Sequence, residues 1–272
     1  MNNSIDIWNA DLHLHTNLSF CAPADTGVQT YLDLCAAEGV DTIGISNHIY
    51  MPEHLRAHGA KEARGAERVL QLMPEIENLR KTSRVKILFG CEVETFLGQQ
   101  PSLAEDEAQD FDYVLLAPSH IMNFRDIYEK FDVSTPDRIR DIMLERFFYA
   151  CSLDYGVPTA ICHPLYPIVS GCEEAVVNGI SDSVLADCFT AAKESGKAIE
   201  IHACLYRDKT ALDAEGLSPT YLRVLEAAKA CGCRFYFGSD AHRAQSFAGK
   251  HALLHRAAER VGITRADMWD MK

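Results

Sequence analysis

Two histidines one residue apart, in Asp11-Leu12-His13-Leu14-His15, open the chemistry of this chain. In a β-strand alternate side chains share a face, so both imidazoles can reach one ion while Leu12 and Leu14 turn away. Neutral imidazoles suit Zn, Mn or Fe, and Glu92 adds an anionic oxygen able to bridge two closely spaced ions. Asp240 and His242 repeat the spacing near the other end of the sequence, where they would close a ring opposite the first pair. His48, His120, His163 and His202 also end apolar runs, so seven of the eleven histidines share this placement. Taken singly, a strand-end histidine such as His163 before Pro164 is ordinarily a hydrogen-bonded core or loop residue. Taken together, so many buried polar groups would each be costly unless something pairs them, and a cluster of divalent ions does so.

Short apolar segments must position these residues. They are IDIWNADLH, DTIGISNH, VKILFGCEVE, DYVLLAPSH, PTAICHP, KAIEIHA and CRFYFGSDAH. Between them lie amphipathic stretches with helical spacing: VQTYLDLCAAEGV, RGAERVLQLMPEIENLRK, PDRIRDIMLERFFYACSLDYG, SDSVLADCFTAAKESG and SPTYLRVLEAAKACG. The alternation predicts an α/β protein with a parallel sheet, closed as a barrel, in a single domain over residues 1–272. In such a barrel the C-terminal strand edges converge on one face, which is where the His, Glu and Asp residues fall. Residues 50–64 read as a long loop over that face, with His54 and His58 solvated in it, and residues 121–135 as another.

The formal charge of −13 opposes nucleic-acid binding, although bound cations can reverse the local field and admit a phosphorylated substrate. No Gly-rich phosphate loop follows a strand, which argues against a nucleotide-binding sheet. No apolar run reaches the roughly 20 residues of a spanning helix, and the N-terminus lacks a leader pattern, so no membrane partner and a cytoplasmic location are expected. The ten cysteines read as reduced thiols, and Cys231-Gly232-Cys233 is too isolated for a zinc site.

As an ordered set, Asp11 to Thr16, Ser46-Asn47-His48, Gly90-Cys91-Glu92, Ser119-His120, His163-Pro164 and Gly238-Ser239-Asp240-Ala241-His242 resemble the PHP family, named for polymerase and histidinol phosphatase domains. The resemblance spans essentially the whole chain. It implies a distorted (β/α)7 TIM-like barrel and metal-dependent phosphoester hydrolysis with two or three divalent ions. It further implies one ion held by His13, His15, Glu92 and Asp240, a second by bridging Glu92 with His120 and His163, and a third by His48 and His242. Many members supply a further His or Asp ligand from the loop after the first strand. Here that place holds Cys21, with Asp25 as a substitute.

Asn47-His48-Ile49-Tyr50-Met51-Pro52 and Arg207 are similar to the histidinol phosphatase branch, in which a basic residue near this place contacts substrate phosphate. An Arg fork matches phosphate oxygens, making Arg207 and Arg243 the substrate-binding candidates, with Arg125, Lys130 and Lys209 behind them. His202, where that branch carries Asn, could touch substrate or assist proton transfer, as could Asp240 and His242. The expected reaction is hydrolysis of a small phosphate monoester, with histidinol phosphate the substrate that the resemblance favours. The alternatives are an amidohydrolase-like enzyme acting on C–N or C–O bonds, and a metal-bound regulatory module without catalysis.

Overall fold

The computed structural model describes residues 5–62, 64–97, 100–121, 132–168, 170–203 and 212–271. Each expected strand segment contains a strand: β1 (Ala10–Leu14), β2 (Thr42–Ile45), β3 (His48–Ile49), β4 (Lys86–Glu94), β5 (Tyr113–Ala117), β6 (Thr159–Ile161), β7 (Ala198–His202) and β8 (Phe235–Gly238). All pairings are parallel, in the order β1-β2-β4-β5-β6-β7-β8, with the two-residue β3 beside β4. The expected segment DTIGISNH thus divides at Ser46-Asn47 into β2 and β3. The edges of the sheet meet where the His15 N–H donates to the Ala241 carbonyl at 2.9 Å, so the sheet is nearly closed into a TIM-like barrel.

Parallel strands need crossovers, and helices supply them. The helix Val28–Glu38 ends at Gly39, whose φ of +70° would strain a residue with a β-carbon. Thr135 and Ser181 cap the helices Pro136–Ser152 and Asp182–Glu194 by accepting from the N–H groups of Arg138 and Val184. The stretch expected as one helix over 64–81 is two, Gly65–Leu70 and Met73–Thr82, because Pro74 lacks the N–H that an uninterrupted helix would need there. The helix Pro52–Ala57 lies within the expected loop, and Lys250–Val261 forms a helix that the periodicity did not single out.

The barrel interior is packed, not open. Tyr113 is fully buried and its hydroxyl donates to the Leu12 carbonyl at 2.6 Å. Its phenol lies against Gly44 and Gly90, where a β-carbon would come within 2.1 Å of the hydroxyl oxygen and 2.3 Å of the ring. With the interior filled from β5 in this way, the polar residues of β1, β4 and β7 and those that follow β8 gather at the strand ends. Among the described residues no helix is long and apolar enough to cross a membrane.

Candidate metal centre

The pairing of β1 with β2 is irregular between Asp11 and Leu14, so β1 carries an extra residue next to His13. Such bulges re-aim side chains at the rim of a barrel. His13 and His15 remain together, with ring centroids 5.1 Å apart, and both are fully buried. His15 Nε2 lies 3.3 Å from Glu92 Oε2 and 3.1 Å from Asp240 Oδ1, while His13 Nε2 lies 3.4 and 3.6 Å from the same two oxygens. Ligand atoms about 2.1 Å from one ion stand about 3.0–3.4 Å apart, so these separations match the edges of a coordination shell.

The other sequence-predicted ligands join the same cluster. His163 Nε2 is 2.8 Å from Glu92 Oε1, and His120 Nδ1 is 3.9 Å from it. His48 Nδ1 approaches Glu92 Oε2 at 2.9 Å. His242 stacks on His15 with centroids 4.2 Å apart, and its Nε2 is 2.9 Å from Cys21 Sγ. Cys21 and His242 are brought together from opposite ends of the chain. Asp25 is exposed and stands in none of the ligand clusters. His202 is fully buried, its Nε2 3.6 Å from Asp240 Oδ2, whereas Arg243 is exposed at the cap of the short helix Ala244–Phe247. Arg125, Lys130, Arg207 and Lys209 lie outside the described residues.

The fit to divalent ions shows in what the cluster leaves unpaired. His13 Nε2, His15 Nε2, His48 Nδ1 and Glu92 Oε2 are buried without a hydrogen-bond partner. Four buried ligand atoms crowded against one another without an aligned hydrogen bond would be expensive in a closed core and suit a cation. His/Glu/Asp groups that could each hold an ion include His13 with His15 and Asp240, and His15 with His48 and His242. Backbone strain accompanies them: His163 and Asp240 have φ of +30° and +52° in the left-handed region, a cost that surrounding structure must offset.

Electrostatics sharpen the assignment. Burial alone would raise Glu92, yet His48 and His13 hold its carboxyl well below the usual range, and Asp240 is depressed in the same manner by His242 and His13. Both stay anionic, as ligands must. Burial and the neighbouring His120 push His163 down to about 4, keeping its imidazole neutral. Burial would likewise raise the Cys21 thiol, but His48 and the hydrogen bonds from His242 and His48 bring it down to about 4.

Sequence reading missed the groups that orient the ligands. Glu200 Oε1 accepts from His13 Nδ1 at 2.7 Å and Glu94 Oε1 from His120 Nδ1 at 2.6 Å. Ser19 and Ser119 hydroxyls bond Nδ1 of His15 and His163, the first at 3.0 Å. Asn47 Oδ1 accepts from the Thr16 N–H and the Ser19 hydroxyl, tying the loop after β1 to the break between β2 and β3. Cys162 donates to Glu92 Oε1 at 3.5 Å. With Nδ1 anchored, His13, His15 and His163 present Nε2 to Glu92. Strand alternation was the available signal, since Glu94 is two residues from Glu92 and Glu200 two from His202. The expectation that His54 is solvated is corrected: it is buried, stacked on Tyr50 at 4.5 Å in the helix Pro52–Ala57, while His58 is exposed.

Comparison with solved structures places the fold. A histidinol phosphate phosphatase from Lactococcus lactis subsp. lactis, complexed with zinc, L-histidinol and phosphate, matches with a TM-score of 0.63 and 18% identity, over 96% of this chain and 94% of that one. A provisionally assigned histidinol phosphatase from Listeria monocytogenes matches with a TM-score of 0.63 and 16% identity, over 90% of this chain and 99% of that one. At such identities the likeness is one of fold. No curated protein matches the sequence. The PHP domain matches residues 11–203, from the aspartate that opens the His-x-His strand to just past His202. The chain belongs to the PHP domain family.

Proposed function

We propose that this chain is a cytoplasmic metal-dependent phosphoesterase that hydrolyses a small phosphate monoester, with histidinol phosphate the leading substrate. The observation that carries the reading is the convergence of His13, His15, Glu92 and Asp240 at coordination-shell spacings, with His13 Nε2, His15 Nε2 and Glu92 Oε2 buried and without an aligned hydrogen bond. Membership in the PHP domain family supports it, as does a fold shared with a phosphatase solved with zinc, L-histidinol and phosphate. The described cysteines are all free, in keeping with a reducing compartment.

Two or three ions of Zn, Mn or Fe would be held by His13, His15, Glu92 and Asp240, by Glu92, His120 and His163, and by His48, His242 and Cys21. When bound they supply Lewis acidity and acidify a coordinated water. The chain itself contributes the anionic oxygens of Glu92 and Asp240 and the imidazoles of His13, His15, His120 and His163, each held through Nδ1. Proton transfer to the leaving oxygen is proposed for His202 or His242, which flank Asp240 at 3.6 and 3.5 Å, with the anionic Asp240 assisting by its charge. Arg207 and Arg243 are proposed to neutralise the phosphoryl oxygens. An amidohydrolase-like reaction would call for a lysine bridge. Beside the His-x-His pair stands Glu92, its Oε2 3.4 Å from His13 Nε2 and 3.3 Å from His15 Nε2, and we assign the bridging role to it.

A panel of phosphate monoesters, histidinol phosphate among them, assayed with Mn, Zn or Fe beside amide and lactone substrates, tests the proposal. Inorganic phosphate release from at least one monoester is expected. Turnover of an amide or lactone alone would overturn the reading.

A further inference from the structure

Glu94 and Glu200 begin alike and end differently. Each accepts from the Nδ1 of a candidate ligand histidine, Glu94 from His120 at 2.6 Å and Glu200 from His13 at 2.7 Å. The second oxygen of Glu200 is also used, accepting the His163 N–H. The second oxygen of Glu94 is not: Oε2 is buried without a hydrogen-bond partner on a residue only 3% exposed. His13 Nε2, His15 Nε2, His48 Nδ1 and Glu92 Oε2 of the centre are left in the same condition. One ligand atom from each of His48, Glu92, Glu94 and His120 falls within a 4.8 Å group, and His48 Nδ1 lies 3.8 Å from Glu94 Oε1.

Building on the metal centre proposed above, we infer that Glu94 is itself a metal ligand, its Oε2 joining Glu92 at an ion on the His48–His120 side of the cluster. Strand geometry makes this natural, because Glu92 and Glu94 are two residues apart on β4 and share a face. Chemistry does as well, since two carboxylate oxygens beside two imidazoles form a mixed N/O set suited to Mn, Fe or Zn. Glu94 would do two things at once: Oε1 fixes the ring of His120 and Oε2 adds the negative charge that raises affinity for that ion. A hydrogen-bonded buried water is the competing occupant for Oε2, and it leads to a different result.

Glu94→Gln separates the two roles. The amide keeps an oxygen to accept from His120 Nδ1 but loses the anionic second oxygen. Apo protein titrated with Zn²⁺ against a chromophoric chelator should bind one fewer tight ion per chain than wild type, or hold one ion at least about 100-fold more weakly, with the remaining ions unaffected. Mn²⁺ paramagnetic resonance on the same samples should show the corresponding loss of a bound ion. Full occupancy with every affinity within about threefold of wild type would overturn the inference. A wild-type protein that binds no Zn²⁺ or Mn²⁺ would instead remove the metal centre altogether. Should the variant not fold, a crystal structure of the Zn²⁺-loaded wild type decides the matter. Glu94 Oε2 at about 2.0–2.2 Å from an ion supports ligation, and a water between them overturns it.

Discussion

Glu200 on β7 reaches His13 on β1 at 2.7 Å, and it can do so because residue 238 between them has no side chain. A β-carbon on Gly238 would stand 1.8 Å from Glu200 Oε1 and 2.8 Å from the His13 β-carbon. Burial raises the Glu200 carboxyl to about 7, offset in part by His13. One buried carboxylate therefore holds the His13 ring and the backbone of His163, two candidate ligands of different ions.

Gly238→Ala should displace Glu200 and cost about 1–3 kcal/mol of stability through overpacking. It should also weaken metal binding by about 10–100-fold. Glu200→Gln tests the same contact without added bulk, since its amide turns a donor toward either His13 Nδ1–H or the His163 N–H. Chelator competition measures both variants. Wild-type affinity in Glu200→Gln would show that the carboxylate plays no part in orienting His13.

Removing the ions should loosen the fold as well as stop turnover. A ligand present at about 100 times its dissociation constant stabilises the native state by about 2.7 kcal/mol, so chelation should lower the melting temperature. His13→Ala should reduce metal content per chain and make the melting temperature less sensitive to chelator. Equal metal content in His13→Ala and wild type, measured by atomic emission, would contradict the placement of His13.

Cys21 distinguishes the ion near His242 from the others. With Sγ 2.9 Å from His242 Nε2, its thiolate should give the Co²⁺-loaded protein a near-ultraviolet thiolate-to-cobalt charge-transfer band. Cys21→Ser should abolish that band and leave the d–d absorption of the histidine-carboxylate sites. A cobalt spectrum identical in the two proteins would return Cys21 to the role of a packing residue.

Away from the centre, His251 and His255 face each other one helical turn apart with Nε2 atoms separated by 3.1 Å. Burial and His255 push His251 from 6.5 down to about 4. The folded state therefore favours the neutral ring. Its contribution is complete above pH about 6.5 and is lost as pH falls toward about 4, on the order of 2 kcal/mol across that window. In denaturant titrations wild type should lose about 2 kcal/mol relative to His251→Leu as pH drops from 7 to 4.5. A constant difference across that range would disprove the effect.

Much of this centre was legible in order along the chain. His13/His15, Glu92 and Asp240/His242 announce themselves because strand alternation fixes which side chains share a face and because imidazole and carboxylate chemistry narrows their use. The burial of His54 was not legible, since its charged, Gly- and Pro-containing surroundings read as solvent-facing. Its ring instead stacks on Tyr50. Nor was the division of residues 64–81 into two helices, because helical periodicity continues across the break while the hydrogen-bond ladder does not.

By itself the sequence determined the strand–helix alternation, the barrel, and the kinds of ligand at the strand ends, all consequences of local periodicity and residue chemistry. Tertiary structure decided what each ring nitrogen faces. The Glu200–His13 bond spans 187 positions and the Cys21–His242 contact 221. Which oxygen of Glu94 is spent and which is left depends on strands packed side by side. Those relations arise from the closure of the sheet, where Leu14 meets Ala241, and no local pattern encodes a distance across a barrel.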